Sequence, residues 1–122
     1  MPKDRRLTRA KDFARVRFEG RAWSDRMLVL LALPNDLEVS RVGISVGKRI
    51  GNAVVRNRTK RRLMEAVRFT PLRDSWDLVL IARRDSSSAE FQTLSRSVIS
   101  LLRRAGILAT SDAPALSSLK TK

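Results

Sequence analysis

Between Asn52 and Phe69 the chain reads NAVVRNRTKRRLMEAVRF, and this stretch limits the possible fold more than any other. At about 100° per residue, Val55, Thr59, Leu63, Ala66 and Val67 fall on one side of a helix, which must then lie on an apolar layer. The rest of the helix surface is cationic. Arg56 and Lys60 stand four residues apart, as do Arg58 and Arg62, and each like-charge pair opposes the helix by roughly 0.2–0.5 kcal/mol. Only one acid, Glu65, offsets the six cations of the stretch. Arg56 and Lys60 also lie close to the apolar arc. Because unpaired cations are costly to bury, the first two turns are expected to project past the sheet edge. Gly51 and the unpaired N–H groups of the first turn would add positive potential there, and Asn57 offers a side-chain donor.

The layer beneath that helix can be read from the neighbouring segments. RVGISVGKR, Arg41 to Arg49, alternates: Val42, Ile44 and Val46 face one way, while Gly43, Ser45 and Gly47 leave the other face nearly bare. A bare face either admits a close-packed helix or lines a groove for an extended strand. Arg26–Pro34 and Trp76–Arg83 read as buried strands, and Arg21–Ser24 as a short strand before them. Thr8 is the expected N-cap of a first helix running to about Phe18, with Ala10, Phe13, Ala14 and Val16 on its apolar side and Gly20 as its stop. Ser87-Ser88-Ala89-Glu90 reads as a capping box. The helix after it repeats Phe91, Leu94, Val98, Leu101, Leu102 and Ala105 up to Gly106. The order is α-β-β-β-α-β-α, an α+β arrangement with a small sheet packed against helices. A single domain is expected over residues 1–108, and residues 109–122, rich in Ser, Ala, Thr and Lys, are expected to be disordered.

Charge indicates the partner. The chain carries 26 Lys+Arg against 12 Asp+Glu, a formal net charge of +14. From Arg41 to Arg73 there are ten basic residues and one acid, so +9 of that charge sits in about a third of the chain. A phosphate polymer is the commonest partner for such a block, and RNA rather than DNA is expected here. With no cysteine and no histidine, the chain has no disulfide, thiolate metal site or imidazole base, which fits a cytoplasmic protein. Its longest apolar run, Met27–Leu33, is too short to span a bilayer, and MPKDRRLTRAKD has no apolar signal core. A self-contained enzyme would need carboxylates. The nearest pair, Asp74 and Asp77, reads as turn caps, and Asp85 and Glu90 as loop and capping residues, so no catalytic residue and no metal motif is assigned. A non-enzymatic ribosomal or RNA-chaperone protein would share this composition.

At RVGISVGKRIGNAVVRNRTKRRLMEA, Arg41 to Ala66, the sequence resembles the protein subunit of bacterial ribonuclease P, whose helix carries an Arg-Asn-Arg-x-Lys-Arg core. RLTRAKDFARVRFEG and WDLVLIAR extend the resemblance, in order, over roughly residues 5 to 105. The resemblance implies a two-layer α/β domain with a left-handed β-α-β crossover holding the basic helix. It implies partnership with a catalytic RNA and with precursor tRNA, whose 5′ leader the holoenzyme removes, with Mg²⁺ entering through the RNA and no cofactor held by the protein. Arg56, Asn57, Arg58, Lys60 and Arg61 occupy the family's RNA-contacting motif, and Lys48 and Arg49 match the basic residues before it. Phe13 matches an aromatic of the leader groove between first helix and sheet, where Gly43 and Ser45 would form the floor. Met64 stands where many relatives have a cation, with Arg62 as the available substitute. Arg17 and Leu31 replace two further groove aromatics, so leader recognition should rest more on charge and apolar contact than on stacking.

Overall fold

The two most apolar segments are the central strands, buried on one face and partly covered on the other. β2 (Leu28–Pro34) and β4 (Trp76–Ala82) pair antiparallel in the middle of a four-stranded sheet, with Leu30 opposite Leu80 and Leu31 opposite Val79. β1 (Arg21–Ser24) pairs antiparallel with β2 on one edge, and β3 (Arg41–Ser45) pairs parallel with β4 on the other. The order is therefore β1-β2-β4-β3. This computed structural model describes residues 5–109, so the stretch expected to be disordered lies outside the described residues from residue 110 onward.

One sheet face carries the main core. Leu28, Leu30 and Ala32 of β2, Leu78 and Leu80 of β4, and Val42 of β3 meet α2 (Ala53–Arg68) and α3 (Phe91–Ala105). The expected arc of α2 does pack: Thr59, Leu63, Ala66 and Val67 are buried. On α3, Leu94, Val98, Leu101 and Leu102 are buried, and Gly106 ends the helix at φ 77°, a left-handed conformation that glycine adopts without a Cβ penalty. The opposite face is only partly covered. There α1 (Ala10–Glu19) buries Val16 against Leu7 and Val79, with Phe13, Leu31, Leu33 and Ile81 packed around them. The small-residue face of β3 accordingly admits a helix at Gly43, where an added Cβ would enter the Phe13 ring and press on the Leu7 carbonyl oxygen.

Three local expectations change. Thr8 does not cap α1. The Leu7 N–H is still paired to the Val42 carbonyl on the β3 edge, so the chain leaves the sheet at Thr8, and Arg9, without a side-chain cap bond, begins the helix. Ala10 is exposed as well. The capping box before α3 does not form either. Arg84–Ser88 closes a 3₁₀ turn in which the Ser86 and Ser87 hydroxyls donate to the Arg83 and Arg84 carbonyls, leaving Glu90 at the N-cap position without a side-chain bond.

Asp77 is the third. It is no turn cap: it lies within β4, fully buried. Arg41 Nε and Nη2 donate to its two carboxylate oxygens at 2.9 and 2.7 Å, and Asn35 donates to Oδ1 at 2.8 Å. From α1, Arg15 approaches the same carboxylate at 3.7 Å, and Asp12 approaches Arg41 at 3.7 Å. This cluster ties α1 to β3 and β4. Burial pushes the Asp77 carboxyl upward, but the hydrogen bonds from Arg41 and Asn35 and the charges of Arg41 and Arg15 outweigh it and hold the group below the ordinary carboxylate range.

Candidate nucleic-acid interface

Asn52 opens α2 by accepting from the Val55 N–H at 3.0 Å, so the cationic run begins on a capped helix. The first two turns do not project free of the fold, contrary to the sequence expectation. Thr59 is buried, with its hydroxyl donating to the Val55 carbonyl at 2.9 Å, because the 3₁₀ turns Lys48–Ile50 and Arg84–Ser88 extend the packed layer beneath them. The cations are instead sorted around the helix. Asn57, Arg58, Lys60 and Arg61 are exposed, as are Lys48 and Arg49 in the turn before the helix.

Two residues of the run behave differently. Arg56 is half-buried and lines a cleft with Ser45, Val46, Asn57 and Lys60. Its Nε is shielded from solvent and has no hydrogen-bond partner among the described residues. The cleft wall is cationic, with Arg56 and Lys60 both lining it. Arg62 is half-buried too, and its Nη1 donates to the Ala89 carbonyl at 2.9 Å, fastening α2 to the turn before α3. Met64 lies two residues, about 200°, around the helix from Arg62, in the cleft that Lys60 and Phe13 also line. Arg62 is thus directed away from the place that a cation at position 64 would occupy.

The second surface is built by register. Leu31, Val79 and Gly43 form one row across the sheet, and Val29, Ile81 and Ser45 form the next. Val79 and Gly43 are closed over by α1, whereas Val29, Leu31, Ile81 and Ser45 remain half-exposed beside it. Phe13 is half-buried on the first row, and Arg17 is exposed one turn further along α1. The structure thus brings Phe13, Leu31 and Gly43 together, with Ser45 on the adjoining row and Arg17 on the helix above. Val29 and Ile81 belong to the same apolar floor. Sequence reading missed them because each sits in a uniformly apolar strand whose outward face no periodicity marks.

Comparison with known proteins gives one family. The family model described as Ribonuclease P matches residues 1–106. The Ribonuclease P protein component of Dehalococcoides mccartyi is 41% identical over 112 residues, covering 92% of this chain and 93% of that protein. That of Roseiflexus castenholzii is 44% identical, covering 89% and 93%. Among solved structures, a Staphylococcus aureus RNase P protein mutant with defective mRNA degradation activity superposes with a TM-score of 0.80 at 29% identity, covering 87% of this chain and 92% of that one. The RNase P protein from Thermotoga maritima superposes with a TM-score of 0.73 at 31% identity, covering 81% and 96%.

Proposed function

The chain belongs to the ribonuclease P protein family, and from that membership we propose how its two surfaces divide the work of a ribonucleoprotein. The exposed cations Lys48, Arg49, Arg58, Lys60 and Arg61, with Asn57 and the half-buried Arg56, bind the phosphate backbone of the catalytic RNA. Half-exposed Leu31 and Ser45, with Phe13 and Arg17 above them, receive the 5′ leader of precursor tRNA. The RNA performs the hydrolysis that frees the mature 5′ end. The observation that carries the RNA-binding assignment is the gathering of the exposed cations Lys48, Arg49, Arg58, Lys60 and Arg61 on the turn before α2 and on its first turns.

The side chains support an accessory rather than a chemical role. The chain has no histidine or cysteine, and its best-placed carboxylate, Asp77, is fully engaged by Arg41 and Asn35. Asp12, Glu65 and Asp85 face Arg41, Arg68 and Arg26, and Asp25 accepts from the Ser97 hydroxyl and two backbone N–H groups. No group of three His, Cys, Asp or Glu side chains that could hold a metal ion occurs among the described residues, and Mg²⁺ is proposed to enter through the RNA.

Reconstitution tests this reading. At low Mg²⁺, the protein alone is expected to leave precursor tRNA intact, and protein added to a ribonuclease P RNA is expected to stimulate 5′ cleavage. Cleavage by the protein alone, or no stimulation, would contradict the assignment. The groove has its own test. Phe13→Leu retains apolar volume above Gly43 and is expected to leave affinity for the catalytic RNA alone within about twofold, because the cationic surface is untouched. In the holoenzyme it should weaken precursor relative to mature tRNA by about 1 kcal/mol, the low end of the stacking range. Equal weakening of both substrates would make Phe13 a packing residue only.

A further inference from the structure

At the far end of α2 from its cationic first turns, Phe69 stands 72% exposed, with the Arg68 guanidinium 5.6 Å from its ring centroid. It walls a cleft of about 550 Å³ that Arg5, Arg68, Thr70, Pro71 and Asp74 also line. The hydroxyls nearby are already engaged: Ser40 donates to the Arg73 carbonyl and Thr70 to the Ala66 carbonyl. Besides apolar Val42, Val67, Pro71 and Leu72, the cleft is lined by an aromatic ring, two arginines, of which Arg68 also faces Glu65 at 3.7 Å, and one aspartate.

That combination discriminates among ligands. A phosphate alone fits poorly, because the C-terminal end of α2 carries partial negative charge and Asp74 adds a full one. A nucleobase fits better. It is neutral, it stacks on an exposed ring, and its amino edge can donate to the Asp74 carboxylate, while Arg5 and Arg68 meet the phosphates on either side of it. Arg58, Arg61 and Arg68 also recur at three- and seven-residue intervals, so they share one exposed stripe of α2. From Asn57 to Phe69 this helix rises about 18 Å, a distance one RNA molecule can follow.

We propose that the cleft between Phe69 and Arg5 receives an unpaired nucleotide of the catalytic RNA, making it a second contact for the same RNA that the cationic end of α2 holds. The inference rests on the RNA-binding reading above. It assigns base stacking, rather than charge, to the C-terminal end of the helix.

The test is titration of the full chain with a ribonuclease P RNA transcript, without substrate, over a range of KCl concentrations. Phe69→Ala is expected to weaken binding about tenfold with an unchanged dependence on salt, because a stack and no phosphate contact is removed. Its melting temperature should stay close to the parent's, since the ring is exposed. If the alanine variant melts early, Phe69→Leu and Phe69→Trp decide: both fill the position, and only tryptophan restores a stacking face, so tryptophan should bind at parental strength and leucine more weakly. Equal affinity of these two variants overturns the proposal. Affinity of Phe69→Ala within about twofold of the parent, while Arg58→Ala still weakens binding, overturns it and leaves the RNA-binding reading intact. In a parallel titration of the assembled holoenzyme with precursor and mature tRNA, a loss confined to precursor carrying a leader would move the ring to the substrate and also overturns the proposal.

Discussion

Asp77→Ala is expected to destabilise the fold by about 3 kcal/mol, the low end for breaking a buried pair, because the half-buried Arg41 guanidinium loses its two hydrogen-bonded oxygens and keeps only Asp12 nearby. Arg41 has 23% of its side chain exposed and directs two donors at Asp77, which leaves only Asp12, at 3.7 Å, facing it once Asp77 is removed. Asn35 and Arg15 lose a partner in the same step. Urea unfolding measures the change, and a loss below about 1 kcal/mol would mean the cluster contributes little. Replacing both members, as in Arg41→Met with Asp77→Leu, should recover part of the loss because neither charge is then buried alone. The acid response follows in sign. Asp77 is held below its ordinary value in the folded protein, so its contribution is present above the unfolded value of about 4 and is lost as pH falls through the lowered folded value. Asp77→Asn should therefore show a shallower fall in stability below pH of about 4 than the parent. Identical acid profiles would assign the acid sensitivity to other carboxylates.

Simultaneous Arg58→Ala, Lys60→Ala and Arg61→Ala changes are expected to weaken binding of a ribonuclease P RNA by about two to three orders of magnitude, taking each charge-assisted phosphate contact at ~1 kcal/mol or more. The slope of log K against log[salt] should flatten by about 2–3, at roughly 0.7–0.9 per lost phosphate contact. Folding should not suffer. All three side chains are exposed, alanine is the better helix former, and like-charge repulsion along α2 is relieved, so the melting temperature should hold or rise. An unchanged salt slope would place the RNA elsewhere on the molecule. Arg62 is left out of this set because its guanidinium fastens α2 to Ala89, and its removal would mix lost packing with lost charge.

Much of the fold was legible in advance, for reasons specific to each element. α2 could be read because its apolar residues repeat at helical spacing through a field of cations, so burial had only one arc to choose. The two faces of β3 could be read because alternation is a property of the strand itself. Helix beginnings were less legible. Thr8 and Ser87 are good capping residues by type, yet pairing of Leu7 to Val42 and the 3₁₀ turn at Arg84–Ser88 claimed the backbone around them. Asp77 was misread for a related reason. A carboxylate near the start of a strand looks like a turn cap until the strand order puts β4 between β2 and β3, where Arg41, Asn35 and Arg15 converge on it.

By itself, then, the sequence determined the elements, their apolar faces, the concentration of charge on one helix and the resemblance that names the partner. These depend on residues within one or two turns of each other. Only the tertiary structure decided which cations are available and which are spent: Arg41 is neutralised by Asp77, Arg62 is tied to Ala89, Arg56 is half-buried with its Nε shielded, and Arg58, Lys60 and Arg61 are exposed. It likewise decided that α1 closes over Gly43 while leaving Ser45 and Ile81 half-open. The physical reason is range. Periodicity reports the neighbours a residue has along its own element, whereas the charge a side chain presents depends on what distant strands and turns bring within hydrogen-bonding distance of it.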